Sequence, residues 1–458
     1  MPSLVCNVDV LDPISTCDHC PIRASFKMKN KYNKTKAYHR HIWDYEKANV
    51  DDFKQQLAGV VWDRCFDYDD IDRVCEAWAS NLLNIARENI PNKVITIGPG
   101  DKQFFNQELR LLRRKKNRAH KKAKNLNTPY FWEKFRNARN LYNGKVKQAK
   151  DDAKQKQADD LKNPDTLTPK KWWKLAKSYI KNDQSQKSSY PPINFNNNIL
   201  CDDQEKAEAF NKFFLTHSNV DDNGIPDPDD TTMVNEKLSN LDILEEDVSD
   251  LLKTLDVNKA TGPDYISQKM LKMAGDTIVP SLTKLFNLSL RLAKYPAQWK
   301  KANVVPIFKK GDAAFTDNYR PVSILSCVGK LFERAVFKYV YNFLRDNDCI
   351  SFKQSGFKPG DSTVYQLAYL YHIFTEAIDK QKDIRVVFCD ISKVFDRVWH
   401  TGLLAKLKRV GITDNLLLWF KDYLSERMQR VVVNGKTSSW GSVLAGVPQG
   451  LSSDLYYF

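Results

Sequence analysis

No apolar run in the 458 residues approaches the roughly 20 that a helix needs to cross a bilayer, so membrane insertion is not expected. Met1 to Asp12 lacks the basic start and long apolar stretch of a secretory signal. Without such a signal the nine cysteines read as free thiols of a reducing compartment. Cys17 and Cys20 form a lone CxxC around His19. A structural zinc site takes four ligands and no second Cys/His pair follows at suitable spacing, so ordinary thiols are the expectation. No internal repeat is visible. Acidic residues are also in the minority, 56 against 71 Lys and Arg, a formal net charge of +15. An excess of that size points to a polyanionic partner, either nucleic acid or an anionic membrane surface.

The length calls for two or three units. Residues 1–27 read as the end of a preceding domain. Residues 28–180 read as a basic, largely helical linker region, with Trp43, Phe53, Leu57, Val60 and Val61 at near-helical spacing and Pro91 closing the first segment. Residues 101–180 hold about 23 Lys/Arg against 8 Asp/Glu, an excess as large as that of the whole chain. Tyr130, Phe131, Trp132, Phe135 and Tyr142 lie among Lys134, Arg136, Arg139 and Lys145, and Trp172 and Trp173 follow in another Lys-rich run. Two readings stand side by side. Rings between cations suit a nucleic-acid track in which bases stack and phosphates meet Lys and Arg. The same pattern suits a solvated helical hairpin whose rings only pack together. Residues 181–240 are rich in Asn, Ser, Pro and Asp and read as a polar linker around one short helix with Phe210, Phe213 and Phe214.

From 241 to 458 helical and strand patterns alternate, which predicts an α+β domain. Val304 to Phe308 reads as a strand ending in a basic turn, Ile384 to Phe388 as a buried strand, and Arg430 to Asn434 as the start of a hairpin turning at Asn434-Gly435. The densest chemical signal begins at Arg385-Val386-Val387-Phe388-Cys389-Asp390, read as a buried strand with a carboxylate at its C-terminal end. Such a carboxylate is rigid yet open to a cleft, a good place to hold a divalent ion, although buried strands also end in Asp for turn-forming reasons. An amphipathic helix with Leu403, Leu404, Leu407 and Val410 is expected to pack behind it.

The run FCDISKVFDRVWH (388–400) resembles polymerase motif A of non-LTR retrotransposon reverse transcriptases. KATGPD (259–264), Trp299 through KKGD (309–312), NYRPVSIL (318–325), GKLFER (329–334), SGFKPGDST (355–363), WFKDYLSERMQRVVVNG (419–435) and GVPQG (446–450) fall in that family's order, closest to the jockey-like elements of animals. The resemblance implies the fingers and an incomplete palm of a right-hand polymerase, copying element RNA into DNA with an RNA template, a DNA primer or target and deoxynucleoside triphosphates as partners. It implies a two-Mg2+ phosphoryl-transfer site with Asp390 as its first metal-binding carboxylate. Phe395 falls at the sugar gate, where a ring excludes a ribose 2′-hydroxyl. Lys309, Lys310 and Arg320 fall in the fingers, where cations grip the triphosphate. Lys358 replaces a common arginine, keeping the charge but losing the planar fork, and Gln449 and Gly450 line the nascent pair and the template. Asp396 and His400 carry motif membership without a metal role and read as structural.

At the other end, Cys17-Asp18-His19-Cys20-Pro21-Ile22 resembles the Ser-Asp-His-x-Pro-Ile finish of the apurinic-type endonuclease that precedes the polymerase in these elements. The resemblance makes Asp18 and His19 the remnant of that domain, without nuclease activity here. The family's second carboxylate cluster, an aromatic-x-Asp-Asp after GVPQG, has no counterpart, and Leu451 to Phe458 depart from the expected continuation. Tyr68-Asp69-Asp70 and Gln157-Ala158-Asp159-Asp160 lie upstream of motif A without strand flanks and read as solvated acids. This chain is therefore expected to be inactive as a polymerase by itself. The competing reading is a non-enzymatic RNA- or DNA-binding protein derived from the element. Either would be intracellular, in nucleus and cytoplasm, with the basic run 113–124 consistent with nuclear entry.

Overall fold

A computed structural model describes residues 5–10, 22–26, 38–97, 105–162, 190–219, 225–226, 228–229, 231–356, 358–390 and 394–447. In chain order the elements that matter are β1 (Val5–Val10), β2 (Ile22–Phe26), β3 (Tyr38–Trp43), α1 (Val50–Ala58), α2 (Ile71–Asn89) and β4 (Asn92–Ile97). They continue with α3 (Gln107–Leu126), α4 (Pro129–Lys162), β5 (Ile193–Phe195), β6 (Asn198–Leu200), α5 (Asp203–His217), α6 (Glu245–Lys253), α7 (Gln268–Ala274) and α8 (Val279–Arg291). Last come β7 (Lys301–Phe308), β8 (Tyr319–Ile324), α9 (Cys327–Asp346), α10 (Thr363–Asp379), α11 (His400–Arg409), α12 (Asp414–Leu424), β9 (Arg427–Val433), β10 (Lys436–Thr437) and β11 (Gly441–Val443). The chain divides into one unit of residues 1–38 and 96–189 and another of residues 39–95 and 190–458.

The larger unit is built on a mixed sheet. β7 pairs antiparallel with β8 (Val304 opposite Ser323, Phe308 opposite Tyr319) and parallel with β9 (Ala302 opposite Gln429, Val304 opposite Val431). β10 and β11 both pair with β9. Period-2 alternation along β9 sends Arg427, Gln429, Val431 and Val433 to the buried face. There α5 covers them, with Phe210 and Phe214 against Val304, Val431 and Val433. β9 turns into β10 through Asn434 (φ +48°) and Gly435 (φ +80°), the left-handed pair a two-residue hairpin demands.

A helical core holds the rest together. Phe286 of α8 stacks on Phe332 of α9 at 4.6 Å, and Phe332 meets Trp419 of α12 edge-on at 5.2 Å; all three are fully buried. Phe286 and Phe332 lie nearly parallel and Trp419 closes on them edge-on, the stacked and edge-to-face geometries that the ring quadrupole favours.

Four expectations change. Residues 39–95 do not belong to a linker running from 28 to 180: Phe53, Leu57, Val74, Trp78 and Leu82 are buried in the same core as Phe286 and Phe332. The reason is the continuous apolar stripe of α2, which must be covered to be stable. Trp43 ends a strand and not a helix. Residues 190–218, expected as polar linker around one short helix with Phe210, Phe213 and Phe214, supply that helix as α5 and add the β5–β6 hairpin; Phe210 and Phe214 find the apolar face of the sheet. The largest correction concerns Ile384 to Phe388. No described strand includes it; Val387 is 83% and Phe388 88% exposed. β-branched residues favour a strand only where a neighbouring ladder and a packing surface exist, and no described strand pairs with this run.

Candidate nucleotide-facing site

The β7–β8 hairpin gathers the three cations expected in the fingers. The Lys309 backbone N–H donates to the Asn318 carbonyl at 2.8 Å, closing the hairpin end. Gly311, at φ +87°, makes the turn, and the Asn318 side-chain amide donates to the Asp312 carbonyl at 2.8 Å. Lys309, Lys310 and Arg320 are exposed around this end, with Arg320 opposite Ile307 in the ladder. A rigid hairpin thus presents three positive groups to solvent, which suits a polyphosphate. Lys358 sits in the loop before α10, where the Asp361 N–H donates to its carbonyl at 3.2 Å.

The second cluster joins motif A to GVPQG. The Gly446 N–H donates to the Val398 carbonyl and the Val447 N–H to the Phe395 carbonyl, both at 2.8 Å. His400 Nε2 lies 2.8 Å from the Gly446 carbonyl. A carbonyl only accepts, so that nitrogen carries the proton. Burial lowers the His400 pKa, and the charge of Arg427 acts in the same direction against the pull of the carbonyl. Gly446 is required here: it sits at φ +83°, and a Cβ would lie 2.6 Å from the Phe395 oxygen and 2.7 Å from the Asp396 oxygen. The contacts fix the Phe395–Asp396 turn against the start of GVPQG, 50 residues along the chain. A pocket opens between Asp396, Gly446 and Val447 on one side and Ser323, Arg427 and Gln429 of the sheet on the other.

Several polar groups behind this wall carried no sequence signal beyond motif membership. Asp422 accepts from Lys300 at 2.8 Å, from Lys294 at 3.0 Å and from the Tyr295 N–H at 2.8 Å. Burial alone would raise its pKa, but these donors outweigh it and hold the carboxyl below the usual range. Glu333, in the GKLFER run, is buried and accepts from the Tyr295 hydroxyl at 2.9 Å; burial lifts its pKa to about 7 against the attraction of Arg427. Asp264, in KATGPD, is lifted to about 6 by burial, with Ser326 and backbone N–H groups opposing. Gly262 in the same run packs on β8's exit, where a Cβ would meet the Leu325 carbonyl oxygen at 2.6 Å. KATGPD therefore serves as a brace for the β8–α9 junction. A buried carboxylate cannot be told from a solvated one by residue type alone.

Asp390 behaves differently from its expected role. It is exposed at the end of the irregular 381–390 segment, without the strand that would fix it. Among the described residues no three His, Cys, Asp or Glu side chains gather to hold a metal ion. A two-Mg2+ site needs several oxygen ligands in fixed geometry, and the described donors do not supply it. Gln449, Gly450, Asp18, His19 and the Cys17/Cys20 pair lie outside the described residues, as do Trp172 and Trp173.

Residues 307–454 match the family model for reverse transcriptase (RNA-dependent DNA polymerase). The chain is 34% identical over 206 residues to an RNA-directed DNA polymerase from mobile element jockey of Drosophila melanogaster, an alignment covering 45% of this chain and 22% of that protein. It is 32% identical over 206 residues to a probable RNA-directed DNA polymerase from transposon BS (45% and 23%) and 33% identical over 205 residues to one from transposon X-element (44% and 22%), both of the same fly. The aligned part spans under a quarter of each of these relatives.

Proposed function

We propose that this chain, whose residues 307–454 match the family model for reverse transcriptase, supplies the nucleotide-facing wall of a jockey-like, non-LTR RNA-directed DNA polymerase. The observation that supports the reading is the junction of the Phe395–Val398 backbone with Gly446–Val447, which holds the residue expected at the sugar gate beside the start of GVPQG. In this reading Lys309, Lys310 and Arg320 hold the triphosphate of the incoming nucleotide. Phe395 discriminates against a 2′-hydroxyl, and Gln449 and Gly450 face the nascent pair. His400 acts through Gly446, as a positioning residue. Among the described residues Asp390 is exposed and no further carboxylates gather beside it to hold an ion, so in this reading the chain binds nucleotide and template but does not extend a primer. The partners in this reading are an RNA template, a DNA primer or target and deoxynucleotides, met in cytoplasm and nucleus. Residues 17–22 retain their reading as the tail of an apurinic-type endonuclease domain.

Two measurements on the purified chain test this. Fluorescence-detected binding should show a deoxynucleoside triphosphate preferred over the matching ribonucleotide, with the preference lost in Phe395→Ala. Primer extension on an RNA template with magnesium should give no product. Equal binding of the two nucleotides would overturn the site assignment, and clear incorporation would overturn the inactivity.

A further inference from the structure

The basic hairpin α3–α4 settles a choice the sequence left open, and it does so through its seam. Half-buried and buried positions on α3 fall at Leu109, Leu112, Lys116, Ala119 and Ala123, spaced three and four apart. On α4, up to residue 150, they fall at Phe131, Phe135, Ala138, Tyr142, Lys145 and Ala149 in the same rhythm, with Trp132 and Val146 flanking the seam. This is the heptad seam of a two-helix antiparallel coiled coil. Small residues on one helix make room for rings on the other: Ala123 is fully buried. The rings are taken up inside the hairpin. Phe135 lies 4.7 Å from the His120 ring and has the Arg139 guanidinium 5.9 Å from its centroid. Tyr142 is covered by the Lys116 ammonium at 4.6 Å, and the Trp132 indole N–H donates to Asn127 at 2.9 Å. Tyr130, the most open ring of the set, carries Lys134 at 4.5 Å. Bases therefore find few free faces to stack on.

The outward positions are cations. α3 carries nine Lys/Arg and a single acidic residue, and α4 nine against five. Arg114, Lys115, Arg118, Lys121 and Lys122 are all exposed over about 12 Å of helix axis. The apolar seam faces inward, so no broad apolar face remains to enter a membrane.

We propose that α3–α4 is a nucleic-acid arm that reads the phosphate backbone of a duplex through the α3 cations, without base stacking and without sequence preference. The proposal stands on the hairpin alone and does not rest on the polymerase reading. For five phosphates neutralised, the log–log slope of affinity against salt is about −4.5 on B-form DNA.

The test titrates the full chain with a 20-base-pair duplex and with a single strand of equal length between 50 and 200 mM salt. The variant is Arg114→Gln, Lys115→Gln, Arg118→Gln, Lys121→Gln and Lys122→Gln combined; Gln keeps helix propensity, and circular dichroism checks the helix. The slope on duplex should shrink by about four to five, with affinity at 100 mM salt falling at least tenfold. Phe135→Leu with Tyr142→Leu should leave both affinities within about twofold. The proposal fails if the quintuple variant keeps the parental slope, or if the ring pair selectively loses the single strand by tenfold. It also fails if Lys309→Gln, Lys310→Gln and Arg320→Gln together remove the whole salt dependence. The last arm needs no change in the hairpin, so it decides the matter even if the quintuple variant misfolds. Binding to phosphatidylserine vesicles tighter than to duplex would equally overturn it.

Discussion

Gly446→Ala is the sharpest probe of the proposed wall. The added methyl meets only backbone: the Phe395 oxygen at 2.6 Å and the Asp396 carbon and oxygen at 2.7 Å. No flexible side chain can swing aside. At φ +83° an L-residue is also strained, by about 1–2 kcal/mol, and forced overpacking adds about 1–3 kcal/mol. The turn can escape the clash only by withdrawing from Val398, Phe395 and His400, forfeiting three hydrogen bonds of 2.8 Å. At about 0.5–1.5 kcal/mol each, that route costs a similar amount. Both routes predict a loss of about 2–5 kcal/mol if strain and overpacking add. Urea unfolding followed by tryptophan fluorescence should show a lower midpoint with an unchanged slope. Nucleotide binding should weaken in parallel, since Phe395 moves with the turn. A midpoint within about 0.5 kcal/mol of the parent, together with full nucleotide affinity, would refute the junction.

Gly144→Ala is the opposite case: nothing lies within 4 Å of the added carbon in the middle of α4, so helix propensity alone acts and the hairpin should gain about 0.5–1 kcal/mol, read as increased helicity on thermal melting. Lys309→Gln, Lys310→Gln and Arg320→Gln combined should weaken triphosphate binding at least tenfold while leaving the urea midpoint unchanged, because all three are exposed; unchanged binding in a titration would remove them from the site. For Asp264, folded pKa about 6 against an unfolded value of 3.8, the folded state holds more protons in that interval. Its stability contribution is complete below about pH 4 and is lost as pH rises through about 6, on the order of 3 kcal/mol. Asp264→Asn should flatten this part of the stability–pH curve; an identical curve for the variant would sink the assignment.

Local chemistry made some of this legible from sequence. Asn434-Gly435 turns the chain because both residues accept positive φ, and α11 packs Leu407 inward at the expected spacing. The strand at Val304 to Phe308 and its basic turn were legible because alternation and charge sit side by side, whereas its pairing with Tyr319–Ile324 was not. Non-local facts were not. The stripe Val74, Trp78, Leu82 announces a helix with a buried face but not which core receives it, and the assignment of 39–95 to a linker failed for that reason. Glu333 and Arg427 lie nearly a hundred residues apart, and only the fold places a buried acid within the field of that guanidinium.

The failure at 384–388 has a different cause and bears on the chemistry. Valines and phenylalanine in a row describe a propensity, whereas a strand is a relation between segments. From Thr363 to Asp390 no described residue is buried, and Tyr365, Leu367, Tyr371, Val387 and Phe388 all stand more than half exposed. Covering one such side chain is worth about 1.5–3 kcal/mol, so the five together leave on the order of 10 kcal/mol unrealised. A carboxylate inherits its rigidity from the backbone that carries it. Asp390 cannot hold an ion in fixed geometry while its own segment lacks a ladder and a packing surface, whatever its motif implies. The exposed apolar run and the missing ligand geometry are therefore one physical fact: ordering this segment as a strand and fixing Asp390 must occur together.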